Sequence, residues 1–532
     1  MKHLEKLSLE LLEKSEGWKY FLRFPSALSA NLNFSLSTDI VRRFPRAVLG
    51  LNFAKAKSGD VFGARSDYDS WRSELTELAK CDALLSADLT LVDIHLSIYE
   101  DRTFNRESLE RLINARRQLL EEDHIGHALV FNYKCNIAMQ MGDFELAQKN
   151  AEKAIQLYQQ GDAVFGALHM HTYLGQIRLM RGDLQGAGKV LQTMEAQLGE
   201  LPGQAPWLIA VARILRAEVA YESNDLGQAA LLCAAAFNMV EQGDAWFDIL
   251  TAAFRVHARL AYAELGLPGA LESLSHADQV ALDRGMPRLF RLMQIERLRA
   301  LTLSGETKTA ARLLSEIGLS TDRSQLEQSD DLAFRQGATF VAVARLMVRT
   351  RRARDALDFI ATAEDLAIRR GQLLALAKLR VIAAAAFWNL RSRVEATSSL
   401  LSAIRLLGDQ PFLRFILDEG PEMRFIVQAA LDGTHVSVPP TPAQRRRLSE
   451  LMHYWATSGR TSVRRDRADS ADLHKRYLEL LDLGHSNKDI AQIMGVSDNT
   501  VKYHLKQIFR KLDANSRSRA VRNARDRGVL DR

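Results

Sequence analysis

With 532 residues, 47% of them hydrophobic, the chain is too long for one compact domain and too apolar to be disordered. Three cysteines far apart, Cys81, Cys135 and Cys233, suit neither a disulfide framework nor a zinc site and point to a reducing cytosol. The start, Met1-Lys-His-Leu-Glu, has no apolar signal core, and the most apolar stretch, Leu373 to Trp388, is broken by Lys378 and Arg380, so a cytoplasmic protein without a membrane span is expected.

Residues 1–50 read as an N-terminal helical cap. From residue 51 to 435 a turn-like position is followed five residues later by Ala: Gly59 and Ala64, Gly142 and Ala147, Gly182 and Ala187, Asn224 and Ala229, Gly305 and Ala310, Arg351 and Ala356, Arg391 and Ala396. Gly266 fits the series with Leu271 in place of Ala. The first step is 83 residues and the others 39 to 46, a repeat of about 41 residues. Helical periodicity flanks each turn, as in Leu146, Ala147, Asn150, Ala151, Ala154, Ile155 and Tyr158, and the small Ala lies where two helices touch. One such hairpin cannot bury its apolar face, so the hairpins are predicted to stack into an α-solenoid with a concave inner surface. The Gly-Asp-Leu/Phe-x-x-Ala turns resemble tetratricopeptide repeats, though longer.

Residues 436–469 read as a linker. Val436-Ser-Val-Pro-Pro-Thr-Pro442 is stiff, Ala443 to Ala456 could form one helix, and Thr457 to Asp469 is polar and Arg-rich. The last segment, 470–532, carries the sharpest pattern. Ser486 can cap a helix with Asp489 returning a bond, Gly495 ends that helix, and Ser497 caps the next. Ala491, Gly495 and Val501 have the spacing at which two helices cross closely. Val501, Leu505, Ile508 and Leu512 then form one apolar stripe, with Asn499, Lys502, Tyr503, Lys506 and Arg510 opposite. Charge follows the same division: residues 441–532 hold 20 Lys and Arg against 11 Asp and Glu, and the remainder 51 against 54. That is the balance of a phosphate-binding tail on a near-neutral body.

Gly484, Ser486-Asn-Lys-Asp-Ile-Ala491, Thr500-Val-Lys502, His504, Ile508, Lys511-Leu512 and Ser516-Arg517 resemble the LuxR-type DNA-binding domain of bacterial regulators. The resemblance implies that the second helix enters the major groove of double-stranded DNA, with Lys502, Tyr503 and Lys506 at base edges. It implies backbone contacts at Asn487, Lys488, Ser497, Thr500 and Arg517, to which the basic face adds Asn499, Arg510 and Lys511. It also implies a homodimer on DNA through the last helix, Ser516 to Arg527, where Ala520, Val521 and Ala524 make a small apolar patch. Two departures stand out. The usual acidic residue before the first helix is missing from Ser470-Ala-Asp-Leu473-His474, and Arg519 replaces the Glu that commonly completes a capping box with Ser516.

Repeats before such a tail resemble the maltose-regulon activator type of regulator, whose repeat region is a sensor. That type has an ATPase module ahead of the repeats; here Gly182-Asp-Leu-Gln-Gly-Ala-Gly188-Lys189-Val190 has the wrong spacing for a phosphate loop and reads as a repeat turn. Residues 1–50 are then a cap or a remnant of what precedes the solenoid in longer relatives. No enzyme is expected: His124 and His127 beside Glu121, Glu122 and Asp123 lack a zincin pattern, His169 and His171 diverge on a helix, and Trp207, Trp246 and Trp388 read as core before ligand groove. No cofactor is implied. The fold class is all-α, an α-solenoid followed by a small four-helix helix-turn-helix domain. Two functions fit: a transcription regulator sensing a small molecule or protein, with RNA polymerase as a further partner, or an interaction scaffold whose tail binds DNA weakly.

Overall fold

Eight turns place the reference residue of the repeat in the left-handed region: Gly59, Gly142, Gly182, Asn224, Gly266, Gly305, Arg351 and Arg391 have φ of 95°, 73°, 79°, 68°, 68°, 82°, 64° and 64°. The computed structural model in which they are seen describes residues 9–24, 27–28, 36–200, 205–243, 245–322, 336–494, 501, 505, 508–509, 512 and 514–530, with side chains for all of these except 336, 458–474, 491–492 and 494. A left-handed residue ends one helix and lets the next begin two residues later. At Gly142 its N–H donates to Met139 O (3.0 Å) and the Asp143 N–H to Ala138 O (2.9 Å). The Asp143 carboxylate then accepts the Leu146 N–H at 2.9 Å and starts the following helix.

Every regular element among the described residues is a helix. Successive hairpins run from Pro45–Lys57 with Val61–Ala79 to Leu373–Asn389 with Arg393–Leu407. The seven predicted turn alanines, Ala64, Ala147, Ala187, Ala229, Ala310, Ala356 and Ala396, are all 0% exposed, because a larger side chain would hold the paired helices apart. At Gly266 the second helix starts at Leu267, one residue earlier than at the other turns, so Ala270 takes the buried position and Leu271 is only half-buried. The first step of 83 residues hides a further hairpin, Ala83–Tyr99 with Arg106–Gln118, whose longer link turns at Asp101 and lacks the Gly and Ala pair.

Ahead of the first hairpin, Leu9–Lys14, Lys19–Arg23 and Thr38–Arg43 bury Leu12, Trp18, Phe21 and Val41. The Trp18 indole donates to Asp88 at 2.9 Å, and the Lys19 ammonium to Asp123 at 2.7 Å. The proposed division at residue 50 falls inside the helix Pro45–Lys57, which belongs to the first hairpin.

The chain divides into two compact units, Met1–Arg445 and Arg446–Arg532. A capping box made by Thr441 and Gln444 opens the helix Pro442–Asp482. This helix continues through 457–469, where composition alone suggests a linker. No described helix is long and apolar enough to cross a membrane.

Candidate nucleic-acid interface and the solenoid interior

The tail is built from its apolar stripe. Val501, Leu505, Ile508 and Leu512, exposed by 0, 5, 1 and 7%, pack with Tyr477, Leu478, Leu481 and Ile490 into one core. Gly484, at φ 80°, ends the preceding helix. Ser486 and Asp489 then make the expected reciprocal cap: the Ser486 N–H donates to the Asp489 carboxylate (2.9 Å) and the Asp489 N–H to the Ser486 hydroxyl (3.2 Å). Those bonds hold the Asp489 carboxyl below the usual carboxylate range. The helix Asn487–Met494 follows. Ser516 caps Arg517–Asp526 from one side, accepting the Arg519 N–H at 3.3 Å.

Asn487 is half-buried and Lys488 exposed on the first turn of their helix. Arg517 is exposed and donates to the His485 carbonyl at 2.7 Å, which ties the last helix to the loop before the first. Lys502, Tyr503, Lys506, Ser497, Asn499, Thr500, Arg510 and Lys511 lie outside the described residues. The patch expected at Ala520, Val521 and Ala524 changes character. Ala520 and Ala524 are 0% exposed within the tail's own core and only Val521 is partly open, so the two alanines turn inward. An ion pair that sequence reasoning missed, Arg525 with both oxygens of Asp482 at 2.8 Å, ties the last helix to the end of Pro442–Asp482.

A segment that follows the last repeat hairpin packs back onto the repeats. Residues 410–419 run back across earlier helices: the Gln185 N–H donates to the Gln410 side chain at 2.9 Å, and the Leu413 N–H to Glu222 O at 3.0 Å. Asp418 receives Arg299 and Arg414, both at 2.6 Å, and the Tyr221 hydroxyl at 3.1 Å. Burial alone would raise the Asp418 carboxyl, but Arg414 and Arg299 outweigh it and hold it well below the usual range. Arg345 grips Glu419, Nε to Oε2 at 2.9 Å. Lys378 meets Glu222 at 2.7 Å, Arg259 meets Glu296 at 2.6 Å, and Arg255 meets Glu218 at 2.7 Å. Against its burial, Arg259 and Arg299 bring Glu296 down to about 2. These residues surround a cavity of about 100 Å³.

The repeats match the family model described as MalT-like TPR region over residues 118–432, more than half of the chain. The chain belongs to this family. In its tail, residues 475–524 match the model for bacterial regulatory proteins of the luxR family. The HTH-type transcriptional regulator AlkS of Alcanivorax borkumensis is 45% identical over 53 residues, 10% of this chain and 6% of that protein. The HTH-type transcriptional activator RamA of Corynebacterium glutamicum is 37% identical over 89 residues, 16% of this chain and 30% of that protein. The chain thus spans less than a third of either relative. A Rap protein, solved in complex with Competence and Sporulation Factor, has 10% identity and a TM-score of 0.52 over 70% of this chain and 99% of that one. This likeness is one of fold.

No motif in the MalT-like repeats points to the charged interior. The available signal is charged pairs at helical spacing: Glu218 and Glu222 in Pro206–Glu222, Arg255 and Arg259 in Phe247–Leu265, Glu296 and Arg299 in Pro287–Leu303. All except Arg259 are more than 90% buried, where unpaired charges would be prohibitive, so each helix predicts a partner on another. Of the tryptophans, Trp246 is buried, stacked 4.7 Å from His169, and Trp207 meets Phe165 edge-on at 5.5 Å. Trp388 lies under the Arg393 guanidinium at 3.6 Å.

Proposed function

We propose that the chain is a DNA-binding transcription regulator in which the MalT-like repeats sense an effector and the luxR-type tail reads promoter DNA. The observation that carries this reading is the core around Val501, Leu505, Ile508 and Leu512 beside the Ser486 and Asp489 cap. In the sequence, Asn499, Lys502, Tyr503, Lys506 and Arg510 alternate with that stripe at the spacing of an opposite helix face. Lys502, Tyr503 and Lys506 are assigned to base edges. Asn487, Lys488, Ser497, Asn499, Thr500, Arg510, Lys511 and Arg517 are assigned to the backbone.

The working organisation is a cap over 1–50, repeats over 51–435, a connecting segment over 436–469 and the DNA-binding domain over 470–532. The protein acts in the cytoplasm as a homodimer on DNA and works with RNA polymerase, with no enzymatic step. Dimerisation through the last helix uses the side bearing Val521, with Ala520 and Ala524 supporting it from beneath.

Fluorescence anisotropy of the full chain on a promoter duplex over a salt series tests the assignment. Lys502→Ala and Lys506→Ala should each cost about 1–3 kcal/mol on the preferred sequence if they read bases. A lysine that touches only phosphate should instead lower the salt slope by about 1 on every sequence. Affinity and slope both unchanged in the two variants would remove the second helix from the interface.

A further inference from the structure

Two residues that line the interior cavity each carry a buried polar atom without a hydrogen-bond partner, and the two atoms are of opposite character. One is Arg345 Nη1, on a side chain whose Nε and Nη2 are both spent on Glu419. The other is Glu222 Oε2, whose sister oxygen takes the Lys378 ammonium. Arg345 is 3% exposed and Glu222 5%, so bulk water does not satisfy either atom. A buried guanidinium N–H and a buried carboxylate oxygen left unmatched are each costly, a cost that a structure tolerates where something else completes them.

The remaining walls say what that something is. Within the lining five cations, Arg255, Arg259, Arg299, Arg345 and Lys378, face five anions, Glu218, Glu222, Glu296, Asp418 and Glu419, and a sixth cation, Arg414, holds Asp418 from outside the lining. Between the ion pairs the surface is aliphatic, with Leu179, Val256, Ile295, Val341 and Leu374. The volume of about 100 Å³ far exceeds the roughly 10–15 Å³ that one water centre needs.

We infer that this cavity is the effector site and takes a small aliphatic zwitterion, an α-amino acid or a dipeptide, with its carboxylate on Arg345, its ammonium on Glu222 and its side chain against the aliphatic wall. The inference rests on the reading of the repeats as a sensor and names the class of molecule sensed. Because Arg345 and Glu222 also hold residues 413–419, through Glu419 and through the bond from the Leu413 N–H to Glu222 O, the guest would tighten this returning segment in place.

Isothermal titration calorimetry and thermal unfolding of the full chain test it with leucine, leucyl-leucine, N-acetyl-leucine, leucinamide and succinate. Leucine or the dipeptide should bind one per chain and raise the melting temperature, and whichever does so identifies the source. N-acetyl-leucine and leucinamide, each lacking one charge, should bind at least tenfold more weakly, and succinate should not bind. In Arg345→Gln the preference for leucine over leucinamide should vanish, and in Glu222→Gln the preference over N-acetyl-leucine. If either variant fails to fold, the ligand series on the unmodified chain still decides. No heat and no shift with any free zwitterion at millimolar concentration, or equal binding of the blocked compounds, would overturn the assignment. A chain that binds promoter DNA but no zwitterion sinks this site alone; one that binds leucine but no DNA sinks the regulator reading and leaves the site.

Discussion

His257 lies within the hairpin stack, its Nδ1 2.7 Å from the Ser273 hydroxyl and its ring stacked 4.5 Å from Phe237. Burial, with the neighbouring His276, pushes its imidazole down to about 4 from the ordinary 6.5. Between those values the unfolded chain holds the proton more tightly, so the stability His257 contributes is complete above pH 6.5 and is lost as pH falls toward 4. The buried His95 and His169 act in the same direction. Asp88 and Asp101, raised to about 6 by burial, act in the opposite one, so the sign is read from a variant and not from the whole curve. We expect the gap in melting temperature between the native chain and His257→Gln to shrink from pH 7 to pH 5; a constant gap would show that the imidazole does not titrate across folding. The left-handed turn residues were readable from sequence because Gly and Asn favour that backbone. Arg351 and Arg391 were readable only from their place in the repeat, since an isolated Arg carries no such signal.

At the scale of elements, the returning segment around Arg414–Leu417 is the feature that periodicity could not supply. A repeat pattern reports contacts between neighbouring hairpins, whereas Asp418 finds Arg299 across 119 residues of chain and Tyr221 across 197. Phe415, Asp418 and Glu419 of the returning segment therefore form part of the wall of the cavity among the repeat helices. Asp418→Asn leaves Arg299 and Arg414 buried with a neutral neighbour and should cost about 3–5 kcal/mol in thermal unfolding. Asp355→Asn, which disrupts the exposed 2.9 Å pair with Arg352, should stay within about 1 kcal/mol. Equal effects would mean that the segment does not hold the repeats together. The helix Pro442–Asp482 differs from expectation for a related reason: the Arg-rich stretch has the composition of a linker but contains no proline or run of glycines to end a helix begun at the Thr441 and Gln444 cap.

For the whole molecule, the positive charge gathers in the last 92 residues while the rest of the chain is near neutral, the charge division expected of a phosphate-binding tail. In the tail the Ser486 and Asp489 cap and the apolar stripe were legible, because each leaves a mark at fixed spacing. Its inward alanines were not, since a small apolar residue suits a helix-packing seam and a dimer seam equally. We propose that the tail reads DNA sequence through Lys502 and Lys506. Selection of duplexes from a random-sequence pool by the purified full chain, in parallel with the Lys502→Ala, Lys506→Ala double variant, tests it most directly. A single enriched motif is expected for the native chain, with two-fold symmetry if the dimer binds, and loss of that motif in the variant. Enrichment of no motif by the native chain, or the same motif from both proteins, would contradict it.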